Sequence, residues 1–248
     1  MFSTQLLTRL TNATSIAVLT GAGISAESGV PTFRGADGLW KKFRPEELAN
    51  FDAFMRNPDL VWEWYSYRRI LIDEVQPNAG HYALVEIEAL FDDFTLVTQN
   101  VDNLHRRAGS VNVHELHGNI LRNFCVGCKK HYDDIAPTVE KKAPRCVDCG
   151  ALIRPDVVWF GEMLPVDEIR IAERAAMRAH VFFTIGTSGE VYPAAQLPLT
   201  AKTHGAYVVE INPEETMLTR SVDESIFGNA GSVLPSLLSE LKRLKRTA

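Results

Sequence analysis

The feature that most constrains the fold of this chain is an alternation of short apolar runs with longer helical patterns. The apolar runs are rich in β-branched residues: Ile16–Thr20, Phe94–Thr98, Val111–His114, Val181–Ile185 and Tyr207–Ile211. Runs of this kind are typical of parallel strands buried on both faces. Apolar residues recur at helical spacing in Gly80–Phe91, Asp167–His180, Pro193–Thr203 and Val233–Arg246. The alternation predicts an α/β fold built on an open, doubly wound parallel sheet.

Two stretches without this alternation predict a second, smaller domain. Residues 34–76 contain no convincing strand but do contain a helical segment rich in aromatic residues, and residues 121–156 contain all four cysteines. We expect a sheet domain of residues 1–34, 77–120 and 157–248. The small domain would consist of two insertions, a helical module at 35–76 and a cysteine module at 121–156.

The composition is that of a folded, non-membrane protein. The 248 residues are 46% hydrophobic and 23% charged, with a formal net charge of -5. An acidic balance argues against a protein that mainly coats nucleic acid. No apolar run is long enough to span a membrane, and the N-terminus lacks the pattern of a secretion signal. We expect a cytoplasmic protein with no membrane partner.

The four cysteines form two C-x-x-C pairs with 17 residues between them: Cys125, Cys128, Cys146 and Cys149. This spacing predicts a four-cysteine Zn²⁺ site. Because four thiolates leave no coordination position for water, we expect one structural ion rather than a catalytic one. A dithiol redox pair and unligated core cysteines are the alternatives. The lysines and arginine around the pairs are interpreted as a solvated face, with a nucleic-acid contact as the alternative.

A glycine-rich turn directly follows the first predicted strand. Gly21, Ala22 and Gly23 open the segment Gly21-Ala-Gly-Ile-Ser-Ala26, whose spacing lets a backbone approach a pyrophosphate. The acidic residue expected about 20 positions later in a dinucleotide site is missing, since the next strand begins only near Phe94. A bound dinucleotide would therefore need other residues to hold its ribose.

Polar clusters follow two further strands, where α/β sheets place their ligands. One cluster contains Gln99, Asn100 and Asp102, and the other contains His114 and His117. Amides and a carboxylate beside an imidazole indicate a site for a polar heterocycle and a proton transfer. His117 is our candidate for the base, although single histidines are more often structural.

Seven blocks, in this order along the chain, resemble the sirtuins, a family of NAD-dependent protein lysine deacylases. They are Gly21–Arg34, Thr98–His105, Leu116–Gly118, the two cysteine pairs, Val158–Glu162, Gly186–Ser188 and Ile211–Pro213. The resemblance implies a Rossmann-like NAD-binding domain and a small zinc-bearing domain, in agreement with the pattern above. Acylated-lysine proteins would be the partners, with NAD consumed as co-substrate.

The resemblance also assigns roles by position. His117 would be the general base, with Asn100 and Asp102 beside the reacting ribose. The other NAD contacts would come from Gly21, Ala22, Gly23, Phe33, Arg34, Gln99, Gly186, Thr187, Ser188 and Asn212. The acylated peptide would lie extended between two segments and add a strand to them. The residues implied there are Val158, Phe160, Gly161, Glu162, Gly189 and Val191.

The implied reaction breaks the glycosidic bond of NAD and transfers no hydride. The acyl oxygen of the substrate displaces nicotinamide, and the acyl group ends on the 2'-hydroxyl of ADP-ribose while free lysine is released. A dry tunnel would protect the reacting carbon from water. Phe33, Val158 and Phe160 would form it.

Two residues on one predicted helix indicate which acyl groups the protein prefers. Tyr65 and Arg68 are three residues apart and so share a helical face. They resemble the Y-x-x-R feature of the branch that removes succinyl and malonyl groups, with Ala49 where that branch keeps its pocket wide. A phenol and a guanidinium could bind a distal carboxylate. The alternative is that Tyr65 is core packing and Arg68 a surface cation.

Two other functions are weighed against deacylation. A mono-ADP-ribosyltransferase would pass the same activated sugar to a protein side chain. A non-catalytic NAD-sensing or nucleic-acid-binding zinc module would have no use for His117, Asn100 and Asp102 together.

Overall fold

The computed structural model describes residues 2–32, 45–133, 135 and 142–247. Its larger sheet has six parallel strands, numbered in chain order and arranged as β3-β2-β1-β7-β8-β9. Their bounds are β1 Ser15–Thr20, β2 Asp93–Thr98, β3 Val113–Glu115, β7 Val181–Ile185, β8 Tyr207–Asn212 and β9 Glu224–Phe227. The chain reverses its winding direction between β1 and β7, so ligands are expected at the carboxyl ends of these strands.

A second sheet is antiparallel and has three strands in the order β5-β4-β6. Their bounds are β4 Gly118–Cys125, β5 His131–Tyr132 and β6 Ile153–Val157. The pairing of β4 with β6 shifts register between Asn119 and Asn123. This sheet carries the cysteine pairs at its far end and continues from the β3 loop at its near end.

Ten α-helices lie within the described ranges, with a 3₁₀ turn at Ala194–Gln196. They are α1 Thr4–Asn12, α2 Gly23–Ala26, α3 Pro45–Leu48, α4 Phe51–Arg56, α5 Pro58–Glu74, α6 Ala79–Glu88, α7 Leu104–Ala108, α8 Val166–Arg178, α9 Leu197–Thr203 and α10 Ala230–Thr247. No helix in these parts of the chain is both long and apolar enough to cross a bilayer.

Helices cover both faces of the six-stranded sheet, as expected when its strands are apolar on both sides. On one face α10 packs against α1 and α6, and the core beneath includes Leu10, Leu84 and Leu237. On the other face α8 and α9 pack together, and Ala172 and Ala176 bring α8 close to the strands. The fold is therefore the doubly wound α/β sheet that the sequence predicts.

The predicted strands are found with small shifts in their bounds. The largest shift is at β3, which begins at Val113, because Val111 is 81% exposed and lies outside the sheet. The predicted helix from Pro193 is a 3₁₀ turn followed by α9. The proposed domain boundaries after residues 120 and 156 fall inside β4 and β6.

Helix α5 packs against the antiparallel sheet. Arg69 is buried on this helix and donates from Nε to the Ile120 carbonyl at 2.6 Å and from Nη2 to Asn123 Oδ1. Its guanidinium also lies 5.0 Å from the Trp62 ring. These contacts fix α5 to β4, and Trp64 and Tyr65 of this helix share a buried cluster with Val101, in the loop after β2.

Candidate active site

The turn after β1 and the turn after β7 are in direct backbone contact. Gly23 N donates to Gly186 O at 2.8 Å, and Gly21 N donates to Ile185 O at 2.9 Å. A Cβ on Gly23 would come within 2.6 Å of the Gly186 Cα, and Gly186 has a φ of +60°. Only glycine fits such an approach without displacement. Two of the predicted cofactor-binding segments are thus brought together by geometry.

Asn100, at the end of β2, is held by hydrogen bonds on several sides. Its backbone N–H donates to Thr98 Oγ1 at 3.0 Å, and its Nδ2 donates to Gly21 O at 3.0 Å and Ser25 Oγ at 3.2 Å. Because the amide nitrogen is occupied inside the protein, the side-chain oxygen is the atom left for a ligand.

Asp102 is almost fully buried beside the same turn. Ser25 Oγ donates to its Oδ2 at 2.7 Å, and Leu104 N donates to its Oδ1 at 2.9 Å. Burial raises the pKa of the carboxyl, while these hydrogen bonds and the positive charge of Arg68 act in the opposite direction. Ser25 therefore links the two residues predicted to lie beside the reacting ribose.

Gln99 connects the two halves of the predicted cofactor site. Its Nε2 donates to Thr187 Oγ1 at 3.0 Å, and the Thr187 carbonyl accepts from Asn212 Nδ2 at 3.3 Å. Gly186, Thr187 and Ser188 follow β7, and Asn212 ends β8. The predicted adenosine-side residues thus lie next to the predicted nicotinamide-side residues.

His117 lies between β3 and β4, half-buried, with a defined tautomer. Its Nδ1 lies 3.0 Å from the Gln99 carbonyl oxygen, which can only accept, so Nδ1 carries the hydrogen. Nε2 is then the basic atom. Burial lowers the pKa of His117, and the hydrogen bond to Gln99 partly opposes this. A neutral imidazole with a free lone pair is suited to accept a proton.

The other two histidines near these loops make hydrogen bonds to other side chains. His105 is buried, and its Nε2 lies 2.9 Å from Thr20 Oγ1. His114 Nδ1 pairs with Glu168 at 2.8 Å. The choice of His117 over His105 and His114 therefore agrees with their hydrogen bonds.

The segment after β6 contains four of the predicted peptide-binding residues: Val158, Phe160, Gly161 and Glu162. The carboxylate of Glu162 is occupied within the protein, since it accepts from both terminal nitrogens of Arg154 and, at 2.8 Å, from the Trp159 amide. The amides of Phe160 and Glu162 donate internally to Ala49 O and Trp159 O at 3.0 Å each. Glu162 therefore fixes the shape of this loop.

The opposite segment begins at Gly189, which has a φ of +72°. A Cβ at this position would lie 2.7 Å from Leu218 Cγ, so the close packing of Leu218 requires glycine. Val191 is half-buried, and its carbonyl accepts from Ala195 N at 2.8 Å.

Tyr65 and Arg68 are both buried on α5, with 2% and 7% of their surfaces exposed. Arg68 is therefore not a surface cation. Its guanidinium carbon lies 6.0 Å from the Trp64 ring, and its charge acts on both Tyr65 and Asp102. Ala49, at the end of α3, is also buried. The helix thus presents a cation and a phenol on the side of the site where Asp102 lies.

The four cysteines meet at one point. Their sulfur atoms all lie within 4.8 Å of one another, with Cys125 Sγ 3.4 Å from Cys149 Sγ and Cys128 Sγ 3.6 Å from Cys146 Sγ. All four are free thiols. Tetrahedral Zn²⁺ with bonds of about 2.3 Å requires sulfurs about 3.8 Å apart. The cluster fits one structural zinc ion.

Several residues that support the site were not among the predicted site residues. Ser25, Thr98, Arg154 and Trp159 hold predicted site residues in place. Ser25, Thr98 and Trp159 lie within the blocks that resemble the sirtuins, yet the sequence gives their side chains no role of their own. Phe33 and Arg34, predicted to contact NAD, lie outside the described residues.

A parallel doubly wound sheet with a glycine turn at its winding reversal and a polar site beside it defines a nucleotide-binding α/β protein. The Sir2 family model matches residues 21–193, which is more than half of the chain. The chain belongs to the Sir2 family.

Curated relatives match over nearly the full length. An NAD-dependent protein deacylase of Aquifex aeolicus is 54% identical over 228 residues, which cover 92% of this chain and 95% of that protein. One of Pyrococcus furiosus is 52% identical over 232 residues, covering 92% and 93%.

Solved structures agree in fold. A Sir2 homologue mutant in complex with ADP-ribose has a TM-score of 0.96 at 45% identity and covers 100% of this chain and 99% of that one. A complex described as Sir2, p53 peptide and NAD⁺ has a TM-score of 0.85 at 34% identity, covering 97% and 98%.

Proposed function

We propose that this Sir2-family chain is an NAD-dependent protein lysine deacylase that removes succinyl and malonyl groups as well as acetyl groups. The observation that carries the proposal is the tautomer of His117, whose Nδ1–H donates to the carbonyl oxygen of Gln99; the next residue, Asn100, is linked to Asp102 through Ser25. The relatives named as NAD-dependent protein deacylases over most of the chain support the reaction class.

The two glycine turns and the residues around them would bind NAD. Gly21, Ala22 and Gly23 would face the phosphates, and the resemblance assigns Arg34 to the same half and Phe33 to the nicotinamide side. Gly186, Thr187, Ser188 and Asn212 would take the adenosine half. Gln99, Asn100 and Asp102 would hold the nicotinamide ribose. When bound, NAD would supply a ribose carbon from which the acyl oxygen displaces nicotinamide.

His117 would act as general base through Nε2. The Gln99 carbonyl fixes the tautomer, so the lone pair on Nε2 stays available for a proton from a ribose hydroxyl. Asn100 would orient the sugar through its side-chain oxygen, since its nitrogen is engaged by Gly21 and Ser25. Proton transfer by a positioned imidazole contributes typically 10²–10⁴-fold to a rate.

The acylated peptide would bind between the segment after β6 and the segment from Gly189 to Val191. Main-chain pairing with both segments would hold it extended, as in strand addition. Because the Phe160 and Glu162 amides already donate internally, this pairing would use Gly161 and the carbonyl groups on that side. Val158 and Phe160 would line the path of the acyl-lysine. The expected compartment is the cytoplasm.

Tyr65 and Arg68 would bind the distal carboxylate of a succinyl or malonyl group. Both are buried, and a buried cation gains from a bound carboxylate. Hydrogen bonds to charged groups contribute about 1.5–3 kcal/mol each, whereas an acetyl group would forgo them. The small Ala49 would leave room for the longer acyl chain.

The test is a side-by-side assay of one peptide carrying acetyl-, succinyl- or malonyl-lysine, with and without NAD. We expect NAD-dependent release of free lysine from all three, with nicotinamide and 2'-O-acyl-ADP-ribose detected by mass spectrometry. Transfer of label from NAD to protein without deacylated peptide would instead favour an ADP-ribosyltransferase. An inert protein that binds DNA in a salt-dependent way would favour the nucleic-acid module.

A further inference from the structure

The Tyr65 hydroxyl is held by a hydrogen bond that fixes its donor direction. Trp159 Nε1 donates to Tyr65 Oη at 2.8 Å, and each residue is only 2% exposed. An indole N–H can only donate, so the phenol oxygen is the acceptor in this contact. The hydroxyl hydrogen must then point elsewhere, and within the described part of the chain it has no acceptor.

Trp159 is itself fixed by an ion pair between the buried Arg154 and the half-buried Glu162. The Arg154 guanidinium carbon lies 3.3 Å from the centroid of the Trp159 ring, an arrangement typical of a cation–π contact. Glu162 pairs with both terminal nitrogens of Arg154 and accepts from the Trp159 backbone N–H at 2.8 Å. Phe54 packs against the indole with ring centroids 5.3 Å apart. The indole N–H direction is therefore set by the loop.

We propose that Trp159 is a positioning residue for acyl recognition: its indole N–H orients the Tyr65 hydroxyl as a hydrogen-bond donor toward the distal carboxylate of the acyl group, beside Arg68. This inference rests on the proposed desuccinylase and demalonylase function. Burial also raises the pKa of Tyr65, so the phenol keeps its hydrogen at neutral pH. A carboxylate can only accept hydrogen bonds, so the distal carboxylate would accept one from the Tyr65 hydroxyl and one from the Arg68 guanidinium.

The experiment compares three variants: Trp159→Phe, Tyr65→Phe and the double variant. Trp159→Phe keeps an aromatic ring but removes the indole N–H. For each chain, KM is measured for the succinyl- and acetyl-lysine forms of one peptide at saturating NAD. We expect Trp159→Phe to raise the ratio of succinyl KM to acetyl KM about fivefold, the effect of one neutral hydrogen bond.

The double variant distinguishes positioning from packing. If Trp159 acts through the phenol, adding Trp159→Phe to Tyr65→Phe leaves the KM ratio where Tyr65→Phe alone puts it. A ratio unmoved by Trp159→Phe, or an effect of the same size in the Tyr65→Phe background, overturns the inference. A wild-type chain with no NAD-dependent desuccinylation contradicts the proposed function as well.

If circular dichroism or the thermal midpoint shows that Trp159→Phe disturbs folding, a milder variant is used. Glu162→Gln removes the negative charge that pairs with Arg154 while keeping the side-chain shape. Arg154 then holds the Trp159 indole less firmly. We expect a rise of about twofold in the same KM ratio, absent in the Tyr65→Phe background. A rise that persists in that background overturns the inference.

Discussion

The Nδ1 atom of His117 lies 3.0 Å from the carbonyl oxygen of Gln99. This contact joins the loop after β3 to the loop after β2. Gln99 also donates through its side chain to Thr187, in the loop after β7. The proposed base, the nicotinamide side and the adenosine side are thereby held in one hydrogen-bonded unit. A movement of any one of these loops would change the position of the imidazole.

The acid limb of the activity profile should lie below the ordinary histidine range. Burial lowers the pKa of His117 from its usual 6.5, so the neutral, basic form persists at lower pH. We therefore expect the midpoint of the acid limb of log kcat/KM for deacetylation to lie below pH 6.5. A profile that already declines between pH 8 and 7 would contradict the neutral imidazole.

Replacing the buried cation on α5 should separate the acyl groups. We expect Arg68→Met to lower kcat/KM for the succinyl peptide by about tenfold or more, since one charged hydrogen bond is lost, and to affect the acetyl peptide less. Some loss with acetyl is expected, because Arg68 also acts electrostatically on Asp102. Arg68→Lys is the matched control that keeps the charge. Equal losses with both peptides would assign Arg68 to folding or NAD binding.

Zinc retention should depend on Tyr132. Its hydroxyl donates to Cys146 Sγ at 3.1 Å, and donors to a metal-bound thiolate typically raise metal affinity 10–100-fold. We expect Tyr132→Phe to keep one zinc per chain but to release it about tenfold faster to a chromophoric chelator. Tyr82→Phe, at an exposed tyrosine on α6, is the control. Equal release rates for both variants would remove Tyr132 from the metal site.

Acid should destabilise the fold through the pair of His81 and His105, whose ring centroids are 4.9 Å apart. Burial lowers the pKa of His81 from 6.5 to about 4, so the unfolded chain binds a proton in this window and the folded chain does not. The free energy of unfolding should therefore fall as pH is lowered from 6.5 to 4, by up to about 3 kcal/mol from His81.

The variant for this prediction is His81→Gln, with the exposed His204→Gln as its control. Urea unfolding at several pH values should show a shallower pH dependence for His81→Gln and an unchanged one for His204→Gln. Identical slopes for His81→Gln and the wild-type chain would show that His81 is not the linked group.

The main sheet could be predicted because its strands carry their own signal. A strand buried on both faces is mainly apolar, and β1, β2, β7 and β8 are buried along almost their whole length. Strand β4 mixes exposed and half-buried residues with buried ones, and β9 has only half-buried and exposed residues, so both resemble loops in the sequence. The zinc cluster was predictable for a different reason, since cysteine spacing directly limits the geometry of coordination.

The supporting contacts of the site could not be predicted from the sequence. Trp159 and Tyr65 are 94 residues apart, and Ser25 and Asp102 are 77 apart. Such pairs form only once β1, β2 and β6 are assembled, and none of these residue types indicates a site by itself. Glu162 and Arg154 are only 8 residues apart, but the sequence does not show that they pair, and this pair gives Glu162 a structural role within the predicted peptide-binding loop.

The central claim is that His117 accepts the proton in an NAD-consuming deacylation. The most direct measurement is the rate of free lysine and nicotinamide release from an acetyl-lysine peptide by the wild-type chain and by His117→Ala, with NAD saturating and zinc content matched. The account predicts one nicotinamide per deacylated lysine in the wild type and a loss of lysine release of at least about 10²-fold in the variant. A variant that releases lysine with nicotinamide at the wild-type rate would contradict it.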